Sequence, residues 1–147
     1  MSPLRPAEPG DLARLRTIQG AALSAPWPDV LEAATAGAAR SLVVTPEGRT
    51  EPVGYAVALD AQDPAYVPEI AVAPGHQREG HGTALLEGLC ARLAADGHGA
   101  VRLTARADDG RARGFYAARG FEAIEDLPGH YDDGDGVLYE RRLGVEG

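Results

Sequence analysis

Residues 66–89 read YVPEIAVAPGHQREGHGTALLEGL, and the rest of the chain is arranged around them. The segment from Tyr66 to Val72 is short and rich in apolar, β-branched and aromatic residues. Ala73-Pro74-Gly75 closes it, which predicts a strand that stops sharply. Further on, Ala84, Leu85, Leu86, Leu89, Cys90 and Leu93 recur at helical spacing, so a helix starts near His81 or Gly82. Between strand and helix lie Gln77-Arg78-Glu79-Gly80-His81-Gly82, with two glycines one residue apart. Glycine there permits unusual dihedrals and lets a ligand approach without meeting a Cβ. The first amides of a helix have no partners within it and carry the positive end of its dipole. Strand, glycine turn and helix N-terminus together make a site for a phosphate-bearing ligand.

Two common phosphate loops do not fit. No Lys-Ser or Lys-Thr follows the glycines, and Leu85 stands where a dinucleotide fingerprint needs its third glycine. Gln77-x-x-Gly80-x-Gly82 after Ile70-Ala71-Val72-Ala73-Pro74 instead resembles the pyrophosphate motif of the GCN5-related N-acetyltransferases (GNAT), whose members bind acetyl-CoA. A second stretch agrees. Asp109-Gly-Arg-Ala112-Arg-Gly-Phe115-Tyr116, then Gly120-Phe121, is similar to the family's downstream signature at Ala112, Phe115, Tyr116, Gly120 and Phe121. The chain is most similar to the branch that acetylates protein N-termini, typified by the ribosomal-protein-alanine enzyme. Pro26-Trp27, the Ile70-Ala71-Val72 strand end and His130-Tyr131-Asp-Asp-Gly134 are the weaker marks of that likeness.

Composition sets outer limits. The chain has 147 residues, 44% hydrophobic and 24% charged, which suits a single folded domain over 1–147 rather than disorder. No apolar run approaches the ~20 residues needed to span a bilayer, and MSPLRPAEPGDL is not a secretory signal. The lone Cys90 rules out an internal disulfide, suits a cytoplasmic setting and falls on the helix's apolar face. A net charge of −8 weighs against nucleic acid and favours a cationic second substrate. An anionic cofactor must then be held by backbone amides and a local basic cluster, for which Arg78 and the arginines of 111–113 are available. His76, His81, His98 and His130 show no metal-ligand spacing.

In chain order the patterns predict a short strand over Leu4 to Ala7. A helix follows Pro9-Gly10-Asp11, and a second short one runs from Asp29 to Ala36 past the bend at Trp27. Strands over Ser41 to Thr45 and Pro52 to Leu59 flank a hairpin turn. After the central strand and the helix ending at Gly97 come a strand over Val101 to Ala105 and a helix over Gly110 to Arg119. Phe121 to Glu125 and Val137 to Arg142 bracket a polar turn, DLPGHYDDGDG. This is an α/β (α+β) domain, and the resemblance implies a mixed sheet of about seven strands flanked by about four helices.

Acetyl transfer to an amine needs a neutral nitrogen, a polarised thioester carbonyl and a proton for the departing thiolate. By resemblance, the backbone of Ile70, Ala71 and Val72 binds the pantetheine arm, and Gln77, Arg78, Glu79, Gly80, His81, Gly82 and Thr83 hold the pyrophosphate. Asp109 stands where the family has Asn, beside the cofactor. Tyr116 matches the family's general acid. The related N-terminal acetyltransferase takes its base from a glutamate on the fifth strand, where this chain has Thr104. Glu69 on the fourth strand is the substitute expected here, a water chain or another group being the alternatives. A carboxylate among Tyr66, Val67, Ile70 and Val72 would be raised toward working pH by burial. Asp132, Asp133 and Asp135 would attract a cationic acceptor. The expected activity is direct acetyl transfer from acetyl-CoA to a peptide or protein N-terminal amine, by a monomer or homodimer that binds neither nucleic acid nor membrane. A small-molecule amine acetyltransferase and a non-catalytic acetyl-CoA-binding domain are the alternatives.

Overall fold

A computed structural model of the protein describes residues 3–143, so the outermost residues of the single domain expected over 1–147 lie outside it. Strand β1 is Leu4–Arg5, helix α1 Leu12–Ala22, helix α2 Val30–Thr35, β2 Arg40–Val44, β3 Gly54–Leu59 and β4 Ala65–Val72. Helix α3 spans His81–Ala95, β5 Ala100–Arg106, α4 Gly110–Ala118, β6 Glu122–Tyr131 and β7 Gly134–Arg142. The strands form one sheet in the order β1-β2-β3-β4-β5-β7-β6, with β4 and β5 parallel and every other neighbouring pair antiparallel. Within 3–143 no helix is long and apolar enough to cross a membrane.

Each face of the sheet carries helices. On one side Leu85, Leu86, Leu89 and Leu93 of α3 pack on Leu42, Ala56, Val67 and Leu103, with Phe115 and Tyr116 of α4 beside them. On the other, Leu15 and Ile18 of α1 and Leu31 of α2 pack on Val43, Tyr55, Val57 and Ala71. Cys90 is buried in the α3 layer as expected, and burial pushes its thiol up to about 11.

Strand β4 changes faces partway along. Its pairing with β3 runs Val57 to Glu69 but Leu59 to Tyr66, so β4 has one residue more than its partner between those points. Such a bulge reverses the alternation of side chains beyond it. Val67 therefore joins the α3 layer, whereas Glu69 and Ala71 belong to the α1–α2 side. Unbroken alternation would have put Glu69 and Val67 on one face.

The second departure lies between β4 and β5. They pair only at Ala65 with Val101, Tyr66 with Arg102 and Val67 with Leu103. Beyond Val67, β4 stays with β3 and β5 stays with β7. The strands part, and one edge of residues 68–72 is left without a neighbouring strand.

The C-terminal hairpin corrects the sequence reading. DLPGHYDDGDG is mostly strand, because β6 continues to Tyr131 and turns through Asp132-Asp133. As an outermost strand it is largely solvated along its length and shows no apolar alternation. An edge position also accommodates Pro128, and the pairing with β7 is irregular from Leu127 to Tyr131.

Candidate active site

The gap between β4 and β5 opens into two clefts that meet. The larger, about 700 Å³, lies on the α3–α4 side and is lined by Ile70–Val72, the 76–83 loop and α4. The smaller, about 290 Å³, lies toward the end of α1 and is lined by residues including Ser24, Glu69, Thr104, Arg106 and Tyr131. Ile70, Asp109, Ala112 and Tyr116 line both. A molecule in one cleft can therefore touch a molecule in the other beside Tyr116.

The glycine loop is built as its sequence suggests. A 3₁₀ turn at Pro74–His76 ends the strand segment, and Arg78 and Gly80 take left-handed φ values of 66° and 87°. The first helical bond of α3 runs from the amide of Ala84 to the carbonyl of Gly80, at 3.0 Å. The preceding amides therefore point out of the helix, and no side chain caps them. Arg78, Arg111 and Arg119 line the same cleft and supply positive charge locally to a chain of net charge −8. An uncapped helix start, free strand edge and arginine rim fit the diphosphate and amide-rich arm of a CoA ester.

Several expected contacts take a different form. The Gln77 side chain lines the cleft, yet its amide donates to the Val72 carbonyl at 3.1 Å and ties the loop to the strand. Glu79 pairs with His76 and His81, and His81 lines a separate cleft against Leu4 and Val44. Both residues can serve the large cleft only through backbone. Asp109 lines both clefts and its Oδ1 accepts from the Ala112 amide at 2.9 Å, so it caps α4. Of the arginines expected in the basic cluster, Arg113 is engaged elsewhere: it donates to the Tyr139 hydroxyl and the Ala107 carbonyl. Arg119, unnoticed in the sequence, lies over the Phe115 ring at 3.9 Å and donates to Thr83 Oγ1 at 3.0 Å.

Tyr116 is held among Phe115, Phe121 and Tyr139. Burial pushes its phenol above the ordinary value, and the nearby Asp109 carboxylate adds to the shift. Its hydroxyl makes no hydrogen bond to any described residue and is free to donate to a ligand.

Glu69 is 3% exposed and differs most from expectation. Its Oε1 accepts from the Tyr55 hydroxyl at 2.7 Å and from Gln19 Nε2 at 3.0 Å. Its Oε2 accepts from the same Gln19 nitrogen at 3.1 Å and from the Trp27 backbone N–H at 2.7 Å. The surroundings are therefore polar donors on the α1 side rather than Val67, Ile70 and Val72. Burial, reinforced by the Glu69 carboxylate, pushes the Tyr55 phenol far up. Trp27, 42% exposed, stacks on Tyr66 at 5.9 Å.

At the vertex of the gap the hydroxyls of Tyr66 and Thr104 lie 2.7 Å apart. Nothing in the sequence around either residue marks the pair, because only the parting of β4 and β5 makes that point special. Two of the three acidic residues of the turn are engaged within the protein: Asp133 pairs with Arg106 of β5, and Asp135 accepts from the Gly129 amide.

Comparison with known proteins adds independent support. No curated protein matches the sequence closely enough to count as a relative. The ribosomal-protein-S18-alanine N-acetyltransferase from Escherichia coli is similar in structure with a TM-score of 0.85 at 26% identity, over 100% of this chain and 97% of that one. Arabidopsis thaliana NAA60 in complex with acetyl-CoA gives 0.84 at 19% identity, over 95% and 97%. Nourseothricin acetyltransferase gives 0.65 at 20% identity, over 72% and 66%. The last two likenesses show the fold alone. Residues 12–121, from the start of α1 to the start of the last hairpin, match the model of the acetyltransferase (GNAT) family, and the chain belongs to that family.

Proposed function

We propose that the protein transfers an acetyl group from acetyl-CoA directly to the terminal α-amine of a peptide or protein. Membership of the family makes the chain an acetyltransferase with acetyl-CoA as its co-substrate. The observation that carries the rest is the junction of two clefts at Tyr116. Acetyl-CoA supplies the acetyl group as an activated thioester. The amides of residues 78–83 and the arginine rim are assigned to its diphosphate, and the free edge of Ile70–Val72 to its pantetheine arm. An acceptor amine in the smaller cleft then faces the thioester carbonyl. As nitrogen bonds to carbon and the carbon–sulfur bond breaks, Tyr116 gives its proton to the departing sulfur and recovers one from solvent. A phenol raised by burial stays protonated at neutral pH and is suited to that task.

Glu69 is assigned a different task from the base expected. Its two oxygens already accept four hydrogen bonds, and through the Trp27 amide it anchors the segment that borders the acceptor cleft. Loss of the amine's proton is assigned to solvent at the cleft mouth. A peptide acceptor is supported by the 26% identity and full-length likeness to the S18-alanine enzyme. The modest volume of the second cleft also admits a small free amine, which is the second reading. Thiol release from acetyl-CoA, followed across peptide and amine panels, decides between them. Turnover on peptides alone supports the first; turnover confined to small amines rejects it.

A further inference from the structure

Folding brings together three side chains whose spacing in the sequence predicts no metal site. The two histidines of His76-x-x-Glu79-x-His81 are five positions apart, neither an i, i+4 helical pair nor an alternating strand pair. The 3₁₀ turn ending at His76 and the left-handed residues Arg78 and Gly80 curl the chain back on itself. As a result His76 Nδ1 lies 3.5 Å and His81 Nε2 3.1 Å from Glu79 Oε1. One donor atom from each residue falls within 4.8 Å of every other.

We propose that His76, Glu79 and His81 form a site for a divalent transition metal ion of the zinc class. The donor set fits that chemistry, because two imidazole nitrogens and a carboxylate oxygen suit a borderline ion. The geometry fits as well. Donors about 2.0–2.1 Å from a tetrahedral ion are separated by about 3.3 Å, close to the two His–Glu distances. Only the two histidine nitrogens need to draw together, by about 1.5 Å or less, and rotation of either imidazole achieves this. His76 and His81 are 23% and 16% exposed at the side chain and Glu79 is 53% exposed, so an ion can enter from solvent and keep water in its fourth position.

The position argues for a tethering site rather than a catalytic one. His76 lines the large cleft, whereas His81 faces the separate cleft against β1 and β2. The ion therefore sits between the two clefts and ties the loop's entry to the first turn of α3. The positive end of the α3 dipole opposes a cation there, and the charge of Glu79 offsets it.

Tag-free protein titrated with zinc chloride in competition with a chromophoric chelator tests the proposal. Saturable binding of one zinc per chain is expected. His76→Ala and His81→Ala should each weaken it by at least about tenfold, while His130→Ala leaves it unchanged. Circular dichroism shows whether each variant is folded. Copper(II) bound in place of zinc should show hyperfine coupling to two imidazole nitrogens by electron paramagnetic resonance, and to one in either single variant. No saturable zinc binding overturns the site. So does equal binding by folded His76→Ala, His81→Ala and His130→Ala proteins.

Discussion

Tyr116 and Glu69 are assigned different tasks, proton donor and structural anchor, and the assignment rests on their hydrogen bonds. The Tyr116 hydroxyl, bonded to no described residue, borders both clefts. Tyr116→Phe should lower kcat by about a hundredfold, the lower range for a missing general acid, with CoA affinity within about twofold of wild type. Steady-state kinetics with calorimetry checks both; an unchanged kcat removes Tyr116 from the role. Because burial and Asp109 raise this phenol, its donor form persists beyond the pH at which an ordinary tyrosine ionises, near ~10. Activity should therefore show no alkaline loss below that pH. Glu69, by contrast, has no oxygen left over. If solvent takes the amine's proton, the acidic limb of the kcat/KM profile follows the acceptor, near ~8 for a peptide α-amine, and moves when the acceptor is changed. Glu69→Gln should then raise KM for the acceptor and leave that limb in place. A limb that ignores the acceptor and disappears in Glu69→Gln would make Glu69 the base after all.

At the scale of elements, the loop from β4 to α3, assigned to the cofactor's diphosphate, depends on backbone shape. Gly80 sits at φ 87° with open space where a Cβ would go, so the obstacle to another residue is conformational. Gly80→Ala should cost about 1–2 kcal/mol of loop strain, weakening CoA binding about five- to thirtyfold by calorimetry. The other fixed point is the start of α1. Arg5 donates to both oxygens of the largely buried Asp11, at 2.8 and 3.0 Å, and the Glu8 amide donates to Oδ2. The Arg5 bond, ahead of the Glu8 amide, outweighs burial and holds the Asp11 carboxyl below its ordinary value. A depressed carboxyl contributes stability above its unfolded value near 3.8 and loses it as pH falls through the folded one. Asp11→Asn should therefore cost about 1–2 kcal/mol at pH 7, and the deficit should shrink below about pH 4 in denaturant titrations.

Most elements were legible from sequence because their cause is local. The Ser41 and Pro52 strands, the α3 periodicity and the Gly97 stop are all written within a few residues. Three features were not. The β4 bulge depends on how β3 pairs with it, and it puts Glu69 on the face opposite Val67. β6 has little apolar alternation to read, since an edge strand in solvent needs none. The meeting of His76, Glu79 and His81 depends on two left-handed residues, only one of them glycine. The motif residues Gln77, Arg78, Gly80, Gly82, Thr83, Asp109 and Tyr116 do gather around one cleft, although Gln77 and Asp109 are bound within the protein.

Across the whole molecule, the parting of two parallel strands joins the helical layers. The cleft assigned to the cofactor lies on the α3–α4 side and the one assigned to the acceptor toward α1, and the gap beyond Val67 lets them touch. The net charge of −8 repels an anionic cofactor at long range, so its binding depends on the local arginines and helix amides. Calorimetric titration of the protein with CoA and with pantetheine, which lacks the diphosphate and the phosphorylated adenosine beyond it, tests that claim most directly. One CoA per chain should bind, with affinity at least about tenfold above that of pantetheine, the difference that roughly 1.4 kcal/mol of contacts to that phosphate-bearing half would make. Absence of CoA binding, or equal affinity for the two, would contradict the account.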